Sequence, residues 1–261
     1  MSIAKDESDI LDIYGDSLGL FGEANVAQGD PGGYVETNGC KVWLPNVGRG
    51  EGKYELRNIS VPLMSHYLWN SSLVMAEYIE TQKFDVANKS VLELGSGAGL
   101  PGLLATRMGA TTVCLSDYPD QVITDNLKKN VSINVSSQAQ CCVVPHEWGK
   151  PANDLLSSNF ERKFDIILLS DVLWISDQHR NLLDTCTNVL ARDGRMYLTC
   201  GVHSGWACID RFFDLAKSCY GLDHEQIERR TIHPWGENAT EAIDDIALRN
   251  RTVLVYELWP I

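Results

Sequence analysis

Residues 91–102 read VLELGSGAGLPG, an apolar run that ends in closely spaced glycines and leads into a helical stretch. Glycines such as Gly95 and Gly97 are needed where a backbone turns sharply and approaches a ligand without an intervening Cβ. Glu93 lies just before them, and its carboxylate can accept hydrogen bonds, directly or through water, from an amino group of that ligand. The stretch therefore predicts the first strand of an α/β domain, followed by a ligand-binding loop of Gly95, Ser96 and Gly97.

The chain around this stretch alternates short apolar runs with helical segments. Further strands are predicted at 112–115, 141–144, 164–169 and 195–199, with helices at 101–108, 119–131, 176–190 and 207–219. Asp193-Gly194 is expected to end the third of these helices. Such alternation is typical of a parallel sheet with helices on both faces. Two final strands, at 224–232 and 252–258, lack an obvious crossover helix between them. We therefore predict an α/β fold with a Rossmann-like, seven-stranded sheet, mostly parallel with an antiparallel strand near the C-terminus, as expected of a methyltransferase rather than a dehydrogenase.

Residues 1–53 are predicted to form an acidic N-terminal arm with an accessory segment, and residues 54–261 the main domain. The first 35 or so residues show no sustained periodicity, which is typical of a partly disordered arm. The alternating runs 40–44 and 54–59 predict one short accessory hairpin. An amphipathic helix near 68–79 then leads into the domain.

Composition narrows the choice of partner and compartment. The net charge is −13 and the pI is near 4.8, so a nucleic acid would meet a repulsive field and a basic partner suits the chain better. The sequence shows no secretory signal, no apolar run of membrane-spanning length and no metal-ligand spacing of histidines. The eight cysteines include no CxxC pair. Reduced thiols fit the cytoplasm or the nucleus. We expect a monomeric cytoplasmic protein with no nucleic-acid, membrane or metal partner.

Asp117 stands at the end of the second predicted strand, where an acid can accept both ribose hydroxyls of an adenosine. It can instead cap the helix that starts near Pro119. Residues 97–102 also match GxGxxG, the motif of nicotinamide and flavin enzymes. Redox chemistry is disfavoured because Glu93 precedes the glycines, about 90 residues precede the first strand, and too little chain follows for a separate substrate domain.

Two further stretches, PLMSHYLWN at 62–70 and SDYPD at 116–120, resemble the seven-strand protein methyltransferases of the methyltransferase-like lysine family. Within it they are most similar to the fungal branch once called nicotinamide N-methyltransferase-like, whose members methylate the N-terminus and adjacent lysine of translation elongation factor one-alpha. The resemblance spans roughly 54–258 and implies a protein N-methyltransferase that uses S-adenosyl-L-methionine. Ser65 and Trp174 depart from the branch, which usually has Gly and Phe there. These departures bear on the acceptor rather than the cofactor.

The resemblance also implies roles for individual residues. Trp69 would lie along the methionine part of the cofactor, Trp148 beside the adenine, and Asp117 at the ribose, with the glycine loop beneath them. Ser170 and Asp171, at the end of the fourth strand, would border both cofactor and substrate. Trp69 and Trp148 can instead be packing residues, because aromatic side chains bury large areas whatever their function.

Methyl transfer from a sulfonium is a direct displacement that needs an aligned neutral amine, but no metal and no covalent intermediate. Deprotonation at neutral pH costs about 4 kcal/mol for a lysine and under about 1 kcal/mol for an α-amine, so an N-terminal amine is the easier nucleophile. Asp171 is our candidate for orienting the amine, and Trp174 for walling its entry channel, where a methylated cation can rest on the ring. Asp171 can instead only satisfy backbone donors at the strand end.

Other substrates have less support from the sequence. Residues 171–174 read DVLW, without the Pro-Pro of enzymes that methylate the amines of bases, which argues against a nucleic-acid substrate. A methyltransferase for another protein lysine, a small-molecule N-methyltransferase, and a cofactor-binding protein that has lost the chemistry stay open.

Overall fold

The computed structural model describes residues 27–28, 32–45, 53–56, 59–62, 64–65, 67–136, 140–202, 205–232 and 251–261. Its strands are β1 Ala27–Gln28, β2 Tyr34–Thr37, β3 Cys40–Trp43, β4 Lys53–Leu56, β5 Ile59–Pro62, β6 Leu68–Trp69, β7 Ser90–Leu94, β8 Thr112–Ser116, β9 Cys141–Val143, β10 Phe164–Ser170, β11 Leu190–Gly201, β12 Leu222–Thr231 and β13 Thr252–Pro260. Its α-helices are α1 Asn70–Glu80, α2 Leu100–Arg107, α3 Gln121–Asn134, α4 Asn153–Ser158, α5 His179–Val189 and α6 Trp206–Tyr220, and Ser176–Gln178 is a 3-10 helix.

The strands from β7 onward form one seven-stranded sheet in the order β12-β13-β11-β10-β7-β8-β9. The five strands from β11 to β9 pair in parallel, whereas β13 is antiparallel to both β11 and β12. The predicted seven-stranded methyltransferase sheet is therefore confirmed. Strand order reverses on the two sides of β7, and ligands of open α/β sheets bind at the carboxyl ends of the strands at such a point.

Helices cover both faces of the sheet. All residues of β7 and β8 are buried, as expected of central parallel strands. Val91 belongs to the core formed with α1, α2 and α3, whereas its neighbour Leu92 belongs to the core formed with α4, α5 and α6. The carboxyl ends of β7, β8 and β10 are thus fixed from both sides.

The described residues of the N-terminal segment form two hairpins, so our prediction of a single hairpin from 40–44 and 54–59 is wrong. β3 pairs with β2, and β4 pairs with β5. The signal we missed is Asn38-Gly39, whose residues have φ of 50° and 69°, as a two-residue hairpin turn requires. Residues 1–26, most of the predicted arm, lie outside the described residues.

Asparagine side chains of α3 hold β3 against the domain. The Asn130 Oδ1 accepts a hydrogen bond from Trp43 N at 2.7 Å, and its Nδ2 donates to Trp43 O at 3.1 Å and to Ala98 O at 2.9 Å. One turn later, Asn134 bonds to both N and O of Lys41, each at 2.8 Å. The hairpin of β2 and β3, which we had placed in the segment 1–53, therefore packs onto the domain. Asn130 also links this hairpin to Ala98, in the glycine-rich loop between β7 and α2.

Apart from small shifts at helix ends, the helices differ from our predictions in three respects. α5 ends at Val189 and β11 begins at the next residue, so Asp193-Gly194 lies inside a strand and does not end the helix. Close packing explains Gly194, because a Cβ there would lie 2.7 Å from Leu190 Cδ1 and 3.0 Å from Asp165 O. Helix α4 was not predicted, and 176–178 form a 3-10 turn rather than the start of α5. Among the helices of the described residues, none has the length and apolarity needed to cross a bilayer.

Candidate active site

The glycine loop joins β7 to α2 at the carboxyl edge of the sheet. Gly95 and Gly97 have φ of 69° and 52°, in the left-handed region that favours glycine. A Cβ on Gly95 would lie 2.6 Å from Val172 Cγ1 and 3.4 Å from Trp148 Cζ2. The loop therefore turns as the sequence predicts, and Gly95 leaves room at the wall of a cleft.

Ser96 fastens this loop to the neighbouring strand. Its Oγ lies 3.1 Å from the carbonyl oxygens of both Glu93 and Ser116, and it accepts a hydrogen bond from Ser116 N at 2.9 Å. The Ser96 backbone N also donates to Ser116 O at 3.0 Å. The side chain is buried and stabilises the loop from behind rather than lining the cleft.

Asp117 follows β8 directly and lines the cleft. Its Oδ2 accepts from Gly97 N and its Oδ1 from Tyr118 N, both at 2.7 Å. Burial raises the pKa of its carboxyl from the ordinary 3.8 to about 6, although the two backbone hydrogen bonds oppose that rise. The cap of α3 is Asp120, whose Oδ1 accepts from Val122 N at 2.8 Å, so the capping alternative for Asp117 is wrong.

Glu93 lies beside the glycine loop, behind the lining of the cleft. It is only 1% exposed, does not line the cleft, and accepts a hydrogen bond from Gly102 N at 3.1 Å through its Oε2. Burial raises the pKa of its carboxyl to about 8, with a smaller contribution from the charge of Asp117. Its carboxyl therefore contacts the first turn of α2, beside the loop and outside the cleft.

The cleft lies between the glycine loop and the loops that follow β8, β9 and β10. Its volume is about 940 Å³, including the space open to solvent at its mouth. The structure brings most of the predicted residues together in its lining: Trp69, Gly95, Asp117, Trp148, Ser170, Asp171 and Trp174. The lining residues that sequence reasoning missed are Met64, Ser65, Tyr118, Ile123, His146, Glu147, Val172, Ile175 and Gln178. Several of these directly flank predicted residues, and that adjacency was the available signal.

Trp69 anchors the segment that crosses one side of the cleft. Its Nε1 donates to Met64 O at 3.0 Å, and its backbone pairs with Ala27 in the short β1–β6 ladder. Ser65 lies against the glycine loop, because a Cβ on Gly97 would be 3.7 Å from Ser65 Cα. Trp69 therefore both lines the cleft and fixes the backbone above the loop.

Asp171 occupies an unusual backbone conformation at the end of β10. Its φ is 57°, in the left-handed region that non-glycine residues rarely adopt. Its N donates to Thr199 O at 2.8 Å, and its Oδ1 accepts from Gly201 N at 3.1 Å. The bond to a backbone donor that we considered as an alternative is therefore present, and the same carboxylate lines the cleft beside Trp174. Local strain of this kind often marks a functional position.

The residues of the cleft fit S-adenosylmethionine, a cation that carries an adenosine. The lining contains the carboxylates of Asp117, Glu147 and Asp171 and, within the described part of the chain, no Lys or Arg, which favours a cationic ligand. Asp117 offers two acceptor oxygens to ribose hydroxyls.

Comparison with known proteins identifies the family. A model of the lysine methyltransferase family matches residues 56–218. This chain belongs to that family. The protein N-terminal and lysine N-methyltransferase EFM7 of Candida glabrata is 29% identical to this family member over 92% of this chain and 95% of the relative. The protein of the same name in Yarrowia lipolytica is 31% identical over 69% of this chain and 73% of the relative.

Solved structures show the same fold. A Streptococcus mutans protein described as an S-adenosylmethionine-dependent methyltransferase superposes with a TM-score of 0.54 at 13% identity, over 88% of this chain and 56% of that chain. A methyltransferase solved with S-adenosylhomocysteine also superposes with a TM-score of 0.54, at 14% identity, over 88% of this chain and 57% of that chain.

Membership of the family confirms the predicted enzyme class. The chain is a protein methyltransferase, and S-adenosyl-L-methionine is the cofactor expected from its family. The predicted protein substrate, as a class, agrees with this family.

Proposed function

We propose that this enzyme methylates the N-terminal α-amine of translation elongation factor one-alpha, a nearby lysine of that factor, or both, as a monomer in the cytoplasm. The observation that carries the proposal is the meeting, in one cleft, of Asp117 and the glycine loop with Asp171 and Trp174. The names of the relatives, which specify N-terminal and lysine methylation, support the acceptor class. The net charge of −13 suits a basic acceptor segment.

On the cofactor side, Asp117 accepts the ribose hydroxyls, Trp148 packs on the adenine, and Trp69 lies along the methionine part. When bound, S-adenosylmethionine supplies a methyl group on a sulfonium that a neutral amine can attack. Ser96 and Glu93 act indirectly, because their side chains bond to the backbone around the glycine loop rather than entering the cleft.

On the acceptor side, Asp171 orients the amine. The hydrogen bond from Gly201 N holds its carboxylate at the cleft, where its negative charge attracts an incoming ammonium group. Once the ammonium has given its proton to water, the same carboxylate aligns the neutral amine. Ser170 borders cofactor and acceptor, and the ring of Trp174 walls the entry and can carry a methylated cation on its face.

An α-amine is the easier acceptor because its neutral fraction at pH 7 exceeds that of a lysine by several hundredfold. We expect a peptide with a free α-amine to be methylated faster at pH 7 than the same peptide with an acetylated N-terminus. Raising the pH to 9 should narrow the difference, since lysine then loses its proton more often.

The decisive test uses the purified enzyme, labelled S-adenosylmethionine and extract from cells that lack the enzyme. We expect label in a protein of the size of elongation factor one-alpha, and mass spectrometry of that factor from cells with and without the gene should locate the methyl groups. Label confined to the small-molecule filtrate would contradict the proposal and support a small-molecule acceptor.

The role of Asp171 has its own test. Asp171→Asn keeps an oxygen for Gly201 N but removes the charge, so kcat should fall roughly 10- to 100-fold while the Kd for S-adenosylhomocysteine changes little. Asp125→Asn, at an exposed carboxylate on α3, is the matched control. Equal kcat values for the two variants would remove Asp171 from the mechanism.

A further inference from the structure

Helix α5 contacts both walls of the cleft through two buried side chains that line neither wall. Thr185 is fully buried and bonds to the loop after β9, which carries Trp148. His179, at the start of the same helix, is 4% exposed and bonds to the loop after β10, which carries Asp171 and Trp174. The two side chains are six residues apart, a rise of about 9 Å along the helix.

Thr185 determines where the loop after β9 lies. Its Oγ1 accepts from Gly149 N at 2.9 Å and is 3.3 Å from Nε2 of His146, which lines the cleft. The loop packs closely against the helix: a Cβ on Gly149 would lie only 2.7 Å from Asn181 Oδ1. Trp148 lies between His146 and Gly149, so both flanks of the tryptophan are attached to α5.

His179 determines where the loop after β10 lies. Its Nε2 is 2.9 Å from Leu173 O, and since a carbonyl only accepts, that nitrogen carries the proton. Cys208 of α6 donates to the same oxygen at 3.3 Å. The carbonyl oxygen of Leu173 thus accepts two hydrogen bonds. Since Leu173 directly precedes Trp174, these bonds fix the wall on the acceptor side.

α5 is suited to this task because it is itself anchored. Its residues Leu182, Leu183, Cys186 and Val189 are buried in the core on that face of the sheet. A helix held along its length keeps a constant distance between the two loops, whereas loops without such support vary in position.

We propose that Thr185 and His179 are positioning residues, and that α5 sets the spacing between the cofactor wall and the acceptor wall. The inference rests on the proposed function, which places the cofactor beside Trp148 and the acceptor beside Trp174. It predicts that the two residues affect different kinetic parameters although they belong to one helix.

The test compares two pairs of variants. Thr185→Val removes the acceptor for Gly149 N at nearly constant shape, and Thr185→Ser keeps it. We expect Thr185→Val to raise the Kd for S-adenosylhomocysteine, measured by calorimetry, and the KM for S-adenosylmethionine roughly tenfold, with the acceptor KM unchanged, and Thr185→Ser to stay within about twofold of wild type.

His179→Met removes the donor to Leu173 O, and His179→Gln offers an amide N–H in its place. We expect His179→Met to raise the KM for a peptide with a free N-terminal amine and an adjacent lysine roughly tenfold, with the Kd for S-adenosylhomocysteine unchanged. His179→Gln should recover most of the loss. If either loss variant fails to fold, Thr185→Ala and Cys208→Ala weaken the same two contacts and take its place.

Changes of the same parameter by the same factor in both loss variants, or no change in either, would overturn the proposal. A role in stability alone would lower the unfolding temperature without separating the two KM values. Wild-type enzyme that binds no S-adenosylhomocysteine would instead contradict the proposed function, whereas wild-type binding and methylation with unaffected variants would reject only the positioning role.

Discussion

Replacement of Asp117 by asparagine should make the protein more stable and a poorer binder of its cofactor. Burial raises the pKa of this carboxyl from 3.8 to about 6, so the folded state disfavours its charged form. The stabilisation that follows from protonated Asp117 is complete below pH 3.8 and is lost as the pH rises through 6. At pH 7.5 the wild-type protein therefore carries the full penalty, and Asp117→Asn removes it.

The size of the effect follows from the shift. A rise of about two pKa units means that the ionised carboxylate destabilises the folded state by about 3 kcal/mol if it is fully desolvated. Water that enters the cleft reduces this free-energy cost. The amide also keeps only one of the two acceptors that serve Gly97 N and Tyr118 N, which costs about 1 kcal/mol. The net gain is about 1 kcal/mol, or a rise of about 2–4 °C in Tm for a chain of this size.

Binding should change in the opposite direction. Loss of the charged acceptor for the ribose hydroxyls is expected to raise the Kd for S-adenosylhomocysteine roughly 10- to 100-fold. The wild-type Kd should also rise as the pH falls below 6, and the variant should lack that dependence. Calorimetry between pH 5 and 7.5, with Asp125→Asn as control, measures both. The reasoning would be refuted if the Kd of Asp117→Asn lay within twofold of the wild-type Kd, or if the wild-type Kd did not change with pH.

Three further predictions concern the loop and its supports. Burial raises the pKa of Glu93 to about 8, so the stability of the wild-type protein should fall as the pH rises from 4.5 through 8. Glu93→Gln should flatten the decline of Tm between pH 6 and 9, and parallel curves of Tm against pH for the two proteins would contradict this. Asn130→Ala removes three hydrogen bonds made by a buried side chain, so it should lower the free energy of unfolding in urea by about 2–4 kcal/mol, more than Asn134→Ala does. Equal losses in the two variants would show that the bond to Ala98 O adds nothing. Gly95→Ala places a Cβ 2.6 Å from a methyl group of Val172, at a residue with positive φ, so the free energy of unfolding should fall by about 1–3 kcal/mol. Calorimetry should show that most of the cofactor affinity is lost, whereas normal binding would show that the loop adapts.

Local patterns in the sequence were sufficient for the sheet and for much of the cleft. The apolar runs gave the strands of the sheet because central parallel strands are buried on both faces, as β7 and β8 are. Gly95 and Asp117 follow consecutive parallel strands, and the carboxyl ends of such strands meet at one edge of the sheet. The cleft residues that follow strand ends could therefore be placed from sequence alone.

The remaining features depend on contacts between distant parts of the chain. The bond from Gly149 N to Thr185 joins positions 36 residues apart, and that from Trp43 N to Asn130 joins positions 87 apart. The hydrogen bond of Glu93 is of the same kind, because the packing of α2 brings Gly102 N to its carboxylate. No periodicity within a window of residues carries such information.

The placement of β13 has a consequence for biosynthesis. β12 precedes β13 along the chain, yet β13 separates β12 from β11 in the sheet. A nascent polypeptide that has already produced β12 still presents the edge of β11 with its peptide groups unpaired, and direct pairing of β11 with β12 at that stage has to be undone later. The last two strands of the sheet, β12 and β13, can take their places only after residues 252–260 have been synthesised, so the edge of β11 needs protection by chaperones until then.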